Sequence, residues 1–331
     1  MRILVWHVHG GWMNAFVQGG HEYLLPTTPD RSAWGLGRGG RDWPHGAREV
    51  APDEVASLEP ELVVLQRTEE LELAERLTGR RLGRELPAVF VEHNTPRGDP
   101  PGTRHPLSRR ADIPIAHVTH FNRAMWDNGL APTIVVEHGI VDPGPLYTGE
   151  LASLAAVMNE PVRRRRVLGA DLLPRFATEA PVDLFGMGAD GVAQALGADP
   201  SRLRARGDLP TRRLHAELSL RRAFLHPVRW TSLGLALLEA MHLGMPVLAL
   251  ATTEAVRAVP ADAGAVSTSP DELVAAARTL LADPAEARRR GAVARAAALE
   301  RYGLRRFLDD WDRLLADVAE SRRTARTTVL T

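Results

Sequence analysis

Short, continuous apolar runs recur along the first half of the chain and indicate strands that are buried on both faces. They cover residues 3–6, 62–65, 88–91, 113–118 and 134–136. A strand with one face in water would instead alternate apolar and polar residues, and these runs do not. The pattern therefore predicts a parallel sheet flanked by helices, with long loops at residues 31–46 and 95–108.

A second set of apolar runs follows a turn-like segment at residues 142–149. These runs cover residues 154–158, 182–185, 223–225 and 246–250, with helical patterns at about 232–243, from 271 to about 298, and after Leu304. The chain has 331 residues, about twice the usual size of one domain. We predict two doubly wound α/β domains, an N-terminal one at 1–147 and a C-terminal one at 148–303. A closing helix at 304–320 can pack back on the first domain, and a tail follows at 321–331.

Composition narrows the class of protein. Basic and acidic residues are balanced at 41 each, which gives no support to a protein that coats nucleic acid or a membrane surface. Cysteine is absent, so disulfides, thiol nucleophiles and thiolate metal sites are excluded. No apolar stretch approaches the roughly 18 residues of a transmembrane helix, and the N-terminus is typical of a strand rather than a signal peptide. We expect a soluble, cytoplasmic protein, whose oligomeric state cannot be derived from the sequence.

All 41 basic residues are arginines, because the sequence contains no lysine. Any phosphate that the protein holds must therefore be bound by guanidinium groups, backbone N–H groups or histidines.

Polar residues cluster at the predicted carboxyl ends of the strands, where doubly wound sheets bind their ligands. In the first half they are His7, His9, Gly10, Gly11, Gln66, Arg67, Glu92, His93, Asn94, His117, His120, Glu137 and His138. The histidines could hold zinc or iron, but no carboxylate stands at a metal-ligand spacing beside them. We favour hydrogen bonding to a polyhydroxylated ligand, with Gly10 and Gly11 allowing the backbone to approach it closely.

The segment at 225–250 predicts an anion site at the start of a helix. A strand ends at His226, and a loop carrying Arg229 leads to a helix that is expected to begin near Ser232. Its first-turn amides lack intrahelical partners and can bind an anion. These amides belong to Ser232, Leu233, Gly234 and Leu235.

Glu239 is the only acid of this helix, and a buried charge there needs a partner. That partner is either an arginine such as Arg221 or Arg229, or a ligand that carries hydroxyl groups. A diphosphate on the helix start and a ribose diol on Glu239 would fit a nucleoside diphosphate.

Two further motifs of the second half lie beside predicted strand ends. Arg163-Arg164-Arg165-Arg166 follows the first strand and is either solvated surface charge or a source of counter-ions for a departing diphosphate. Gly186 and Gly188 follow the second strand, where they indicate a tight turn next to the ligand.

From Pro227 to Val247 the sequence resembles the retaining GT-B glycosyltransferases of family 4. Glu239-Ala240-Met241, Gly244, Pro246 and Val247 match the end of the family's Glu-x7-Glu motif in order. Similar landmarks in the rest of the chain are Gly10-Gly11, His93, residues 137–142, Gly186, Gly188 and residues 302–310. The resemblance implies a GT-B fold, in which two Rossmann-like domains face each other across a cleft.

The resemblance also implies an activity: transfer of a hexose-type sugar from a nucleoside-diphosphate sugar to a hydroxyl acceptor, with retention and without a metal or other cofactor. It assigns the ribose to Glu239, the phosphates to one of the arginines such as Arg163 or Arg166, and the donor sugar to His93. Thr231 departs from the family, because it stands where the first glutamate of the motif would approach that sugar.

Three other functions are compatible with the sequence. A GT-B epimerase or phosphorylase would act without a separate acceptor. A non-catalytic sugar-nucleotide binding protein is suggested by Thr231. A metal enzyme could be built on the histidines.

Overall fold

The computed structural model describes the backbone of residues 1–329 and the side chains of residues 1–321. The chain forms two compact units, one of residues 1–141 and 304 onward, the other of residues 142–303. Residues 142–147 therefore belong to the second unit and not, as predicted, to the first. Tyr147 explains this, since its N–H donates to the Leu243 carbonyl at 3.1 Å and its hydroxyl to the Arg222 carbonyl at 2.6 Å.

The first unit contains a seven-stranded, wholly parallel sheet in the order β3-β2-β1-β4-β5-β6-β7. Its strands are β1 (Arg2–Val5), β2 (Glu22–Pro26), β3 (Ala47–Val50), β4 (Leu62–Leu65), β5 (Ala88–Glu92), β6 (Ile115–His117) and β7 (Thr133–Val135). Its helices are α1 (Gly10–Phe16), α2 (Glu69–Thr78), α3 (His120–Met125) and α12 (Leu304–Val329), with single 3-10 turns at Pro52–Glu54 and Pro100–Gly102.

The last helix completes the core of the first unit. Phe307 and Trp311 of α12 are fully buried, and Trp311 lies edge-on to Trp12 and Phe16 of α1, with ring centroids 5.5 and 5.1 Å apart. Gly139 lets the chain pass close to Phe307, because a Cβ at that position would collide with this side chain. The helix extends through most of the predicted tail at 321–331, of which residues 330–331 lie outside the described part.

The second unit contains a six-stranded parallel sheet in the order β10-β9-β8-β11-β12-β13. Its strands are β8 (Leu151–Val157), β9 (Val182–Phe185), β10 (Leu203–Gly207), β11 (Arg221–His226), β12 (Val247–Leu250) and β13 (Gly264–Ser267). Its helices are α4 (Arg165–Leu168), α5 (Leu173–Ala177), α6 (Val192–Leu196), α7 (Thr211–Leu220), α8 (Leu235–Leu243), α9 (Ala255–Ala258), α10 (Pro270–Ala282) and α11 (Pro284–Tyr302), with 3-10 turns at Ala170–Leu172 and Ala261–Ala263. This strand order is that of a doubly wound nucleotide-binding sheet.

A buried ion network connects three strands of this sheet, β9, β10 and β11. Asp183 of β9 has no solvent exposure and accepts hydrogen bonds from Arg221 at 2.8 Å and from Arg204 at 2.7 and 2.9 Å. Arg221, itself buried, also reaches Glu217 at 2.6 Å. Burying these charges is tolerated because each has an opposite charge in hydrogen-bond contact.

Among the residues that the structure describes, no helix combines the length and apolarity needed to cross a bilayer.

Candidate functional site

Helix α8 begins later than the sequence predicted. Its first residue is Leu235, and Gly234 is the extended N-cap residue, so Ser232 and Leu233 lie in the preceding loop and not in the first turn. The helix starts late because the loop first passes over the ring of His226, the last residue of β11. A Cβ on Gly234 would lie 2.8 Å from His226 Cε1. The N–H of Leu237 donates to the Gly234 carbonyl at 3.0 Å, so the first-turn amides of α8 that an anion can reach are those of Leu235 and Ala236.

Glu239 lies in the second turn of α8 and is neither in a dry core nor paired with an arginine. Its side chain is 19% exposed, and the nearest cationic group is His215 of α7, with Nε2 at 3.4 Å from the carboxylate. That contact lacks hydrogen-bond geometry, since the buried His215 Nε2 has no hydrogen-bond partner. The carboxylate is thus held by a weak neighbour and keeps an exposed edge.

The two arginines considered as partners of Glu239 are occupied elsewhere. Arg221 belongs to the Asp183 network described above. Arg229 forms a two-pronged contact with Asp171 at 2.6 and 3.0 Å and also donates to the Arg166 carbonyl at 3.0 Å. A ligand that contacts Arg229 would therefore meet an arginine that is already paired with Asp171.

The β11–α8 loop and the segment after β8 are packed tightly together. The N–H groups of Arg229 and Trp230 both donate to the Val167 carbonyl, at 2.9 and 3.2 Å. Gly169 has a left-handed conformation (φ +73°), and a Cβ there would collide with the carbonyl oxygen of Pro227. The loop that carries Thr231, which is half-buried, is thereby fixed to the arginine-rich segment.

The arginine run lies at the surface of the second unit. Arg163 is 71% exposed and 3.6 Å from Glu160, and Arg166 is 75% exposed and 3.4 Å from Asp171. Both neighbours are partly exposed acids, and ion pairs of this kind are weak. The two guanidinium groups remain accessible to an anion.

Gly186 and Gly188 form the predicted tight turn after β9. Both have positive φ, +122° and +66°, and a Cβ on Gly186 would collide with the Met158 carbonyl oxygen. Between them, the Met187 N–H donates to Asn159 Oδ1 at 3.0 Å. The turn therefore packs directly on the residues that follow β8.

In the first unit, three histidines from separate strand ends come together; we call them the histidine cluster, His9, His93 and His138. The rings of His9 and His93 are 4.0 Å apart. Burial lowers the pKa of His9 to about 4, with Arg67 adding repulsion, and the pKa of His138 to about 3, with His9 and Arg306 adding repulsion. It lowers the pKa of His93 as well, helped by its two histidine neighbours.

The histidine cluster is uncharged at neutral pH and has hydrogen-bonding capacity to spare. His93 Nε2 and His138 Nδ1 are buried without a hydrogen-bond partner. Of the other histidines, His7 contacts the Gly37 carbonyl at 3.0 Å, and His117 contacts Asn128 at 2.9 Å through one ring nitrogen while its Nδ1 has no partner among the described residues. Strand-end position identified His9, His93 and His138 as candidates, but only the fold shows which of the histidines meet.

We expect the buried histidines to destabilise the protein as the pH falls below 6.5. The unfolded chain takes up protons near pH 6.5, whereas His9 and His226 in the folded protein have a pKa of about 4. Stability is therefore complete above pH 6.5 and is lost toward pH 4, by on the order of 2 kcal/mol per histidine at pH 5. Thermal unfolding at constant ionic strength measures this, and an unchanged unfolding temperature between pH 7 and pH 5 would contradict it.

The described residues contain no group of three or more histidine, aspartate or glutamate side chains arranged to hold a metal ion. The alternative of a metal enzyme therefore lacks a candidate ligand set in that part of the chain.

Gly10 and Gly11 open helix α1 directly after the first strand end. The sequence did not indicate what lies beside them. The guanidinium group of Arg41, from the loop at 31–46, packs on Gly10, with Nη2 2.5 Å from where a Cβ would be.

Comparison with known proteins finds a family model that matches part of the second unit. Residues 202–297 match the family model of glycosyl transferases group 1, a span that includes Thr231 and Glu239 but not the arginine run or the Gly186 turn. No curated protein sequence matches the chain significantly.

Solved structures with similar folds cover nearly the whole chain. HepE of Anabaena, in complex with UDP-glucose, is 16% identical with a TM-score of 0.71, over 96% of this chain and 100% of that chain. Sucrose-phosphate synthase from Thermosynechococcus elongatus is 14% identical with a TM-score of 0.72, over 97% and 100%. TarM from S. aureus, in a mutant form with UDP among its ligands, is 14% identical with a TM-score of 0.62, over 76% and 55%. These likenesses confirm the GT-B fold that the sequence resemblance implied.

Proposed function

We propose that this GT-B glycosyltransferase moves a hexose-type sugar from a nucleoside-diphosphate sugar to a hydroxyl acceptor, with retention and without a metal or other cofactor. The observation that carries the proposal is the state of Glu239. It is a partly exposed carboxylate one turn behind a helix start, within the segment that matches the group 1 family, and no arginine among the described side chains pairs with it.

Glu239 and the start of α8 supply complementary halves of a nucleotide site. The carboxylate would accept hydrogen bonds from the two ribose hydroxyls, and the amides of Leu235 and Ala236 would donate to the diphosphate. Because HepE was solved with UDP-glucose, UDP is the first nucleotide to test.

Charge develops on the diphosphate when the bond between it and the sugar breaks. We propose that the α8 amides, with Arg163 or Arg166, stabilise that charge, while the departing oxygen takes the proton of the acceptor hydroxyl as the new glycosidic bond forms. His93 and its partners in the histidine cluster would hydrogen-bond the sugar. Thr231, which carries no charge, would contact the sugar in place of the family's glutamate and set donor preference.

A thermal-shift panel of UDP, GDP, ADP and the corresponding monophosphates tests the nucleotide site. We expect one diphosphate to raise the unfolding temperature selectively, since a ligand at 100 times its Kd stabilises the native state by about 2.7 kcal/mol. Chelator should leave this shift unchanged. Equal responses to all nucleotides, or none, would contradict the proposed site.

Incubation with donor alone separates the remaining alternatives. An epimerase or phosphorylase would convert the donor without an acceptor, and a non-catalytic binding protein would bind it without turnover. A transferase should form product only when a hydroxyl acceptor is added, and the anomeric configuration of that product, read by NMR, tests retention.

A further inference from the structure

The loop at 31–46 brings unpaired positive charge to the end of β1. This loop belongs to the first unit, whereas the proposed nucleotide site belongs to the second. Arg41 is exposed, and within the described part of the chain its guanidinium group has no ion pair and no side-chain hydrogen bond. The same guanidinium group packs on Gly10, where a Cβ would lie 2.5 Å from its Nη2. A guanidinium group held against backbone without an acid partner is available to an external anion.

Neighbouring groups reinforce this charge. Arg41 lines an open depression of about 810 Å³ together with Arg31, Arg38, Asp42 and Glu49. Glu49 is already engaged by Arg31, at 2.5 and 3.1 Å, and by the Arg38 N–H at 2.8 Å. Three arginines against two acids leave one net positive charge in the depression.

Arg67, which follows β4, provides a second guanidinium group near the end of β1. It binds Glu70 through Nε at 2.8 Å and lies 3.9 Å from the ring centroid of Trp34, but its Nη2 is buried without a hydrogen-bond partner. Arg41 repels a proton on His7, after the larger effect of burial, and Arg67 does the same on His9, so both lower a histidine pKa. Arg41 is therefore close to His7 and Gly10, and Arg67 is close to His9.

We infer that the acceptor of the transfer reaction is an anion, a hydroxylated molecule carrying a phosphate or a carboxylate group that binds Arg41. This inference rests on the proposed function. The planar donor fork of arginine matches both anions. Because the positive charge lies beside the histidine cluster of the first unit, the acceptor's hydroxyl would be held near the sugar that this cluster is proposed to bind.

Matched pairs of acceptors test the inference. Glucose 6-phosphate is compared with glucose, and glycerate with glycerol, in thermal shift and in UDP release from UDP-glucose. We expect a phosphate or carboxylate member to bind and to react at least 10-fold better than its neutral partner. Which pair discriminates tells phosphate from carboxylate. Equal responses of both members, including no response to either, overturn the inference.

Variants of Arg41 show whether this residue causes the discrimination. Arg41→Gln should raise the KM for the anionic acceptor at least 10-fold without changing kcat as strongly, and Arg41→Lys should restore part of the loss. Arg305→Gln, at a 97% exposed position of the same unit, is the control for a lost positive charge and should have no effect. Unchanged discrimination in Arg41→Gln overturns the inference. UDP affinity of the same variants separates this outcome from failure of the nucleotide site, which would abolish UDP binding in the unmodified protein.

Discussion

Replacing Glu239 by glutamine should weaken UDP binding by about 10- to 150-fold while leaving the protein folded. The loss corresponds to removing charge-assisted hydrogen bonds to the ribose, worth about 1.5–3 kcal/mol. The fold should persist because the carboxylate is partly exposed and its neighbour His215 is 3.4 Å away without a hydrogen bond. Isothermal titration calorimetry measures the affinity, and circular dichroism the fold.

Glu300→Gln is the matched control for this substitution. Glu300 is an exposed residue of α11 in the same unit, so the variant removes the same charge from a position in solvent. We expect it to bind UDP as the unmodified protein does. An unchanged affinity in Glu239→Gln would mean that the ribose binds elsewhere, whatever the control shows.

Asp183→Asn should cost about 3–5 kcal/mol of unfolding free energy, the largest stability effect we expect from a single substitution here. The amide keeps the shape of the carboxylate but removes the charge that Arg221 and Arg204 contact at 2.7–2.9 Å. Arg221 is buried and would keep only Glu217 as an acid partner. Urea unfolding followed by fluorescence gives the change in free energy.

Glu179→Gln provides the comparison at the surface. Glu179 also contacts an arginine in two-pronged fashion, Arg278 at 2.6 Å, but that arginine is 63% exposed. Water and salt screen such a pair, so its loss should be far smaller than that of Asp183. Similar losses in the two variants would show that burial does not determine the strength of these ion pairs.

The central strands of both sheets could be predicted from the sequence because each contains a run of three or more apolar residues or is apolar except for one buried acid, as β9 is at Asp183. The strands that were missed lie at or near the sheet edges, where apolar character is not required. β10 contains Arg204 and Arg206, and its arginines are explained only by Asp183 on the neighbouring strand. β3 is half polar for a similar reason, since its Glu49 forms an ion pair with Arg31 of the adjacent loop.

The candidate site was predictable in residue type but not in local geometry. The motif around Glu239 predicted a helix, and the helix is present. The sequence also showed that its single acid needs a partner, which is either an arginine or a ligand. The start of α8 was predicted three residues early, because nothing in the local sequence shows that Gly234 must clear the ring of His226. Arg229 was one of the arginines considered as a partner of Glu239, but Asp171, distant in sequence, binds it in a two-pronged contact.

Arg41 illustrates what sequence patterns leave out entirely. Its loop at 31–46 has no helical or strand period, so its residues had no predicted neighbours. Only the folded chain shows that one of its several arginines packs on Gly10 while another, Arg31, is neutralised by Glu49.

The order in which the two units can mature during synthesis follows from the position of α12. Residues 1–141 leave the ribosome well before α12, so Trp12 and Phe16 lack their packing partners Phe307 and Trp311 until residue 311 has been synthesised. The second unit is one continuous stretch of the chain, so it can fold without any segment that is synthesised after it. Nascent chains would therefore pass through a stage in which the later half is native while the earlier half still shows an uncovered aromatic surface, a stage that favours chaperone binding.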